Sequence, residues 1–272
     1  MKYRAVLPER NSNVSHEQPL REFLVLLAGA AALALLVYGL LGLCVDIAVD
    51  YISPETELAI YQSAGINRSR TVDDAAPISE SETAVRKLLT ALLRCVEIGY
   101  PVSLRIEESD VLNAYAWPGG HIVLSTGLLD NVESQNGLAF VLSHELAHFK
   151  NRDHLRTMGR GVVLVALSVL LTSASSDLST LMMPVSSLEA AQFSQERESA
   201  ADATALQIVN CHYSHIGGAT ELFEVIAAPE ENFDFSLTHY FASHPQARER
   251  IDAIHRQGKL MGYSVGRTVS KF

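Results

Sequence analysis

The sequence His144-Glu145-Leu146-Ala147-His148 places two imidazoles four residues apart, with a carboxylate beside the first. On a helix, residues four apart share one face, so both imidazoles can reach a single ion. Zinc suits two nitrogens and one carboxylate, with a fourth position left for water. Glu145 would lie beside the metal, where it can accept a proton from the attacking water. The pattern predicts one Zn²⁺ per chain and hydrolysis of peptide bonds.

A carboxylate on a second helix is the favoured third ligand. Glu198 and Asp202 are four residues apart, so a helix would present both carboxylates on one face. The small residues 199–201 between them favour close packing against the helix of the histidines. Glu198 could then bind the metal, while Asp202 accepts a hydrogen bond from the outer N–H of a ligating histidine and fixes its tautomer.

His154 is the other candidate for the third ligand, because its spacing from His148 is that of a metzincin. Asn151 stands where that pattern has glycine, and asparagine tolerates the left-handed turn required there. A metzincin also needs a methionine turn beneath the metal, and the methionines that follow lack a clear turn context. We therefore favour Glu198 and keep a metzincin-like protease that uses His154 as the alternative.

The N-terminal region is typical of a membrane anchor. An uncharged apolar run extends over residues 23–45, close to the length that a helix needs to cross a bilayer. Lys and Arg residues precede this run, whereas Asp and Glu residues follow it. The positive-inside rule then places residues 1–22 in the cytoplasm. We predict a single-pass protein of a bacterial-type inner membrane with a periplasmic catalytic domain, and a mitochondrial intermembrane location stays open.

The net charge bears on the class of partner, and the cysteines bear on the redox compartment. The 272 residues carry a formal net charge of −10, which argues against nucleic acid because its binders present basic faces. With the metal motif, the expected partners are protein or peptide substrates, and the membrane through residues 23–45; the oligomeric state stays open. Cys95 and Cys211 could pair in an oxidising compartment, although two free thiols are equally compatible with the sequence.

The rest of the chain divides into three parts, and its patterns predict an α+β, mainly helical fold with a small sheet packed against helices. The parts are a juxtamembrane connector (46–78), a peptidase domain (79–258) and a C-terminal tail (259–272). Ser79 and Glu82 form a capping-box pattern before an amphipathic helix. The other expected elements are strands at 102–106, 113–116 and 121–125, and a helix at about 134–151 that carries the metal motif.

Four motifs, in this order, resemble family 48 of the metallopeptidases, the zinc gluzincins that include the CAAX prenyl endopeptidases and HtpX-like proteases. The motifs span about residues 107–255, most of the domain outside the membrane. They are Asn113-Ala114 through Pro118-Gly119-Gly120, the His144–His148 helix, the Glu198–Asp202 helix, and His244-Pro245 with Arg250-Ile251.

The resemblance implies a zincin-type peptidase domain, with Glu198 as third ligand and Asp202 supporting the site. It implies that His244 lies near the metal as a second catalytic residue, which steadies the tetrahedral intermediate or plugs the resting site. It also implies that the strand from His121 is an edge strand that pairs with extended substrate. The residues that would bind the substrate are Gly119, Gly120, His121 and Ile122.

The apolar segment 161–173 raises the question of a second membrane span. A single crossing would separate His148 from Glu198, and a returning hairpin needs two spans of about 20 residues each. We therefore expect a buried or membrane-grazing helix and only one anchor. The expected function is a membrane-anchored metalloendopeptidase acting on extracytoplasmic or membrane-associated proteins, in the manner of protein quality control. The alternative from another class is a zinc-binding holdase or assembly factor with a plugged or non-catalytic site.

Overall fold

The computed structural model describes residues 18–63, 80–172, 194–227 and 247–271. Helices dominate these ranges and surround one small sheet, as the sequence predicts. The elements in chain order are α1 (Pro19–Asp50), α2 (Pro54–Ser63), α3 (Glu80–Leu92), a short 3-10 helix (Leu93–Cys95), β1 (Ser103–Glu107), β2 (Ala114–Trp117), β3 (His121–Ser125), α4 (Thr126–Asn131), α5 (Gln135–Lys150), α6 (Asp153–Thr172), α7 (Gln195–Tyr213), α8 (Glu221–Ala227) and α9 (Ala247–Leu260).

Helix α1 is long and apolar enough to cross a membrane by length and composition. It contains 32 residues and therefore extends beyond the predicted run 23–45 at both ends. Pro19 lies in its first turn, where proline is well tolerated because no helical partner exists for its missing N–H. Most leucines of α1 are exposed, an arrangement that fits a helix surrounded by lipid.

Helix α5 runs through the centre of the core and begins and ends where the sequence predicts. The Ser134 hydroxyl accepts a hydrogen bond from the amide of Gly137 at 2.9 Å and caps the first turn. Asn151 is the C-terminal cap. Every residue from Asn136 to Phe149 is buried, because α3, α7, α8 and β2 pack around the helix.

The sheet corrects the prediction that the strand from His121 is an edge strand. The strand order is β1-β3-β2, so β3 lies in the centre of the described sheet. His121 is paired with Ser103 of β1 on one side and with Trp117 of β2 on the other. A strand with both neighbours in place offers its backbone to no further strand, so His121 and Ile122 cannot pair with substrate in this sheet.

The glycines before β3 serve a turn. Gly119 and Gly120 have φ values of 94° and 87°, a region that side chains with a Cβ rarely adopt. A Cβ on Gly120 would also lie 2.3 Å from the carbonyl oxygen of Pro101. Both residues are thus needed for the tight connection from β2 to β3, which sets the register of this hairpin.

Helix α6 runs antiparallel to the C-terminal half of α1, and the two helices pack closely. Gly159 makes the close approach possible, since a Cβ there would lie 2.5 Å from Cγ1 of Val45. Further along α6, the predicted helical character of the segment 161–173 holds through Thr172. The end of α1 and helix α2 also contact β2 and α6, because Val49 and Tyr61 share a small buried cluster with Trp117 and Leu155.

A disulfide joins Cys95 to Cys211, which settles a question that the sequence left open. The two Cα atoms are 5.9 Å apart and 116 residues separate the cysteines in sequence. The bond ties the 3-10 helix after α3 to the last part of α7. Cys44 of α1 is an exposed free thiol.

Candidate metal centre

Helices α5 and α7 together form a buried cluster of three donor side chains. One ring nitrogen each of His144 and His148 and a carboxylate oxygen of Glu198 lie within 4.8 Å of one another. The two Nε2 atoms are 3.1 Å apart. Glu198 places Oε2 at 3.4 Å from Nε2 of His144 and Oε1 at 3.6 Å from Nε2 of His148. The sequence prediction that these three residues converge is therefore matched by the geometry.

Two aspartates orient the imidazoles through their Nδ1 atoms, while the Nε2 atoms face Glu198. Nδ1 of His144 lies 3.0 Å from Oδ1 of Asp202, and Nδ1 of His148 lies 2.8 Å from Oδ2 of Asp153. A carboxylate accepts the Nδ1–H and leaves Nε2 with a free lone pair, which is the tautomer that binds a metal. Asp202 lies where the sequence predicted. Asp153 was missed, although its position directly after the helix of the histidines was the available signal.

Arg250 of α9 is the second residue that the sequence analysis gave no role. Its Nη1 lies 2.9 Å from Oε2 of Glu198, and its Nη2 lies 2.6 Å from Oδ1 of Asp202. The guanidinium also stacks over the ring of Phe223 at 4.5 Å from the centroid. Arg250 is buried, so its charge balances two buried carboxylates and holds α9 against α7.

The electrostatics of the cluster favour a cation between the imidazoles. Burial and the charge of Arg250 lower the pKa of His144, but the carboxylates of Asp202 and Glu198 outweigh them and raise it to about 9. Burial opposes ionisation of Asp202 as well, yet Arg250 and His144 hold its pKa below the usual value of 3.8. Without a metal, His144 therefore binds a proton and carries the positive charge of the cluster. Metal binding would release that proton.

The donor set fits a divalent transition metal. Two imidazole nitrogens and one carboxylate oxygen are the ligands of catalytic zinc sites with an open fourth position. In the described part of the chain, this is the one group of His, Cys, Asp and Glu side chains whose spacing could hold a metal. Glu145 lies beside His144 on α5 and is buried.

His154 does not join this cluster. Its ring centroid lies 6.4 Å from that of His148, and its side chain, in the first turn of α6, is buried against Phe149. The structure thus brings the carboxylate of Glu198, and not the imidazole of His154, next to His144 and His148. His244 lies outside the described residues, so its role stays a prediction.

Sequence comparison places the chain among known enzymes. The profile of peptidase family M48 matches residues 80–257. The chain belongs to peptidase family M48. It is therefore a metallopeptidase, and the cluster on α5 and α7 could hold its metal.

Several curated M48 relatives align over a large part of the chain. It is 28% identical over 199 residues to a protease HtpX homolog of Persephonella marina, covering 58% of this chain and 69% of that protein. It is 30% identical over 161 residues to the mitochondrial metalloendopeptidase OMA1 of Schizosaccharomyces pombe, covering 56% and 45%. It is 26% identical over 191 residues to the metalloprotease LoiP of Escherichia coli, covering 67% and 74%. The chain thus spans less than half of one relative and about three quarters of another.

Proposed function

We propose that this M48 peptidase is a membrane-anchored, zinc-dependent metalloendopeptidase that hydrolyses peptide bonds in extracytoplasmic or membrane-associated proteins. The observation that carries the proposal is the buried convergence of His144, His148 and Glu198 within 4.8 Å. Buried donors of this kind are costly unless they are paired or bind a metal. In the proposed site these three side chains hold one Zn²⁺.

Zinc and two residues of the chain would each have a separate role in hydrolysis. When bound, zinc supplies a Lewis acid that favours attack of water on a peptide carbonyl. Glu145 lies on the same helix, one residue after His144, and accepts the proton of the attacking water. It passes that proton to the leaving amine, so that the carboxylate is regenerated. His244 is proposed to assist near the site or to close it in the resting enzyme.

The extended substrate is proposed to pair with β2 rather than β3. Ala114–Trp117 forms an outer strand of the described sheet, and it packs against α5, the helix that carries His144 and His148. An extended peptide can add to such an edge through main-chain hydrogen bonds. Gly119 and Gly120 would contribute by shaping the turn at the end of β2.

Three features support membrane anchoring with the catalytic domain on an oxidising side. Helix α1 has the length and composition of a membrane span, and basic residues precede it. The Cys95–Cys211 disulfide is typical of periplasmic and other oxidising compartments. We place the protein in a bacterial-type inner membrane with its catalytic domain in the periplasm, where quality control of damaged membrane-associated proteins would be its task.

The experiment uses the full chain, purified in detergent, because α6 packs against α1. Zinc content and casein cleavage are measured for wild type, Glu145→Gln and Glu198→Gln, with Glu133→Gln and Glu196→Gln as controls at exposed carboxylates. We expect one zinc per wild-type chain and cleavage. Glu145→Gln should keep zinc and lose at least about 100-fold in rate, and Glu198→Gln should lose zinc.

Other outcomes would contradict the proposal in distinct ways. A wild-type chain that binds no zinc would remove the metal site. A chain that binds zinc and never cleaves protein, while Glu145→Gln preserves the cellular phenotype, would favour the holdase or assembly factor.

A further inference from the structure

Asp46, near the end of α1, shares its carboxylate among three arginines of the catalytic domain. Its Oδ2 is paired with Nη2 of Arg160. Its Oδ1 lies 3.4 Å from Nη2 of Arg197 and 3.9 Å from Nη1 of Arg156. The side chain of Asp46 is only 26% exposed. One carboxylate on the candidate membrane helix therefore balances guanidinium groups from both α6 and α7 at a partly dehydrated junction, where charge pairing is stronger than in water.

Arg197 connects this junction to the start of α6. It directly precedes the proposed ligand Glu198 in sequence. Its Nη1 donates to Oγ1 of Thr157 at 2.9 Å and to the carbonyl of Asp153 at 3.3 Å. Its Nε lies 3.8 Å from Oδ1 of Asp153. Arg197 thus contacts Asp46 at one end of its guanidinium group and Asp153 at the other.

Asp153 completes the connection to the metal centre. Its Oδ1 faces Arg197 while its Oδ2 accepts the hydrogen bond from Nδ1 of His148 at 2.8 Å. The side chain of Asp153 is buried, so its position depends on these partners. A continuous path of charged contacts therefore leads from Asp46 through Arg197 and Asp153 to His148.

We infer that Asp46 is a positioning residue for the metal centre, acting through Arg197 and Asp153 on the orientation of His148. The inference rests on the proposed metal site and adds that helix α1 is part of its support. Without the Asp46 carboxylate, Arg160 and Arg197 lose the negative charge that they share and repel each other, whereas Arg156 keeps its ion pair with Asp50. Arg197 then shifts, and with it the carboxylate that orients the imidazole.

The test measures metal affinity rather than activity alone. Full-length wild type and Asp46→Asn, in detergent, are titrated with Zn²⁺ against a chromophoric chelator, and thermal unfolding of the metal-free proteins is followed in parallel. Loss of a carboxylate in direct contact with a metal-binding histidine costs about 10–100-fold in affinity. We expect about 10–100-fold for Asp153→Asn and a smaller loss, about 3–10-fold, for Asp46→Asn, which lies two contacts further along the path.

Two single variants serve as controls, and a double variant completes a double-mutant cycle between Asp46 and Arg197. Asp50→Asn removes the neighbouring carboxylate of α1, which pairs with Arg156 and not with Arg197, and should leave zinc affinity unchanged. Asp46→Glu keeps the charge and should retain most of the affinity. In an Arg197→Gln background, Asp46→Asn should have no further effect on zinc affinity, because the path is already interrupted.

Each result decides between positioning and a purely structural role. Asp46→Asn that lowers the unfolding temperature of the metal-free protein but leaves zinc affinity at the wild-type value would overturn the inference. If Asp46→Asn does not fold, Arg197→Lys replaces it, because lysine has a single nitrogen where Arg197 uses Nη2 toward Asp46 and Nε toward Asp153. Unchanged zinc affinity in that variant would overturn the inference too. A wild-type chain that binds no zinc would instead refute the proposed metal site.

Discussion

Nη1 of Arg250 lies 2.9 Å from Oε2 of Glu198, so a helix from the end of the chain places a positive charge against a proposed metal ligand. The same guanidinium pairs with Asp202, which in turn accepts the Nδ1–H of His144. Arg250 thereby fixes the orientation of one ligand directly and of another through Asp202. Four buried side chains from three helices form one charge-balanced group.

Replacing Arg250 by methionine should destabilise the protein strongly. Asp202 is only 3% exposed and would keep its charge without its main partner, a change that costs about 3–5 kcal/mol. Urea unfolding of the metal-free protein in detergent measures this loss.

A matched double variant separates the buried charge from lost packing. Arg250→Met combined with Asp202→Asn should recover a large part of the lost stability, because the uncompensated charge of Asp202 is removed and the remaining carboxylate, Glu198, still faces the two imidazoles. Equal stability of the single and double variants would show that packing of Arg250 on Phe223 dominates instead.

The choice of third ligand can be tested by comparing Glu198→Gln with His154→Gln. Both side chains are buried, but only Glu198 lies in the donor cluster. Glu198→Gln should weaken zinc binding by at least about 10-fold, in line with the loss of a ligand rather than of its supporting contact, and His154→Gln should leave it near the wild-type value. Equilibrium dialysis against a zinc buffer gives both numbers. A reversed order would restore the metzincin alternative.

The disulfide should contribute substantially to stability. A bond that closes a loop of 116 residues restricts the unfolded chain, and removal of a native disulfide typically costs about 2–5 kcal/mol. Cys95→Ser with Cys211→Ser should show this loss in urea unfolding, and a reductant should lower the unfolding temperature of wild type but not of the double variant. Cys44→Ser is the control. A wild type indifferent to reductant would contradict the prediction.

Glu57 of α2 should make stability depend on pH in the acid range. Burial raises the pKa of this carboxyl above 4.5, despite hydrogen bonds from Tyr61 and Tyr100 and the charge of Arg152. The folded state therefore holds the proton more tightly than the unfolded state, and this contribution is full below the unfolded pKa and lost as pH rises through the folded one.

The measurement compares wild type with Glu57→Gln from pH 4 to pH 8. The difference in free energy of unfolding should favour wild type most at low pH and fall with rising pH. Glu55 on the same helix is the control, because its hydrogen bond with Ser53 lowers its pKa, so the trend for Glu55→Gln should have the opposite sign. A Glu57 difference that grows with pH would contradict the assignment.

Local patterns carried most of the correct predictions. The spacing of His144 and His148 follows from helix geometry, and the limits of α5 follow from capping by Ser134 and Asn151. The pairing of Glu198 with this helix required a tertiary contact, but the small residues beside it indicated where the contact would form.

The features that the sequence did not reveal depend on contacts between distant parts of the chain. β3 lies in the centre of the described sheet because β1 pairs with it in parallel on the side opposite β2. In sequence, β2 lies between β1 and β3, so this pairing joins strands that are not consecutive. Periodicity is the same for both arrangements. The role of Arg250 was hidden for a similar reason, since 48 residues separate it from Asp202. Asp46 belongs to a helix whose apolar composition gave no sign of a contact with the catalytic domain.

Arg152 fixes the orientation of α1 relative to the rest of the fold. Its guanidinium donates to the carbonyl oxygens of Val49 and Ile52, so the second residue after α5 binds the backbone at the C-terminal end of α1. If α1 lies in a bilayer, these contacts hold the peptidase domain in a fixed orientation to the membrane rather than on a flexible linker. The distance between the candidate metal centre and the lipid would then be set by the fold. A peptidase held in this way would reach only those peptide bonds that lie at a matching distance from the membrane surface.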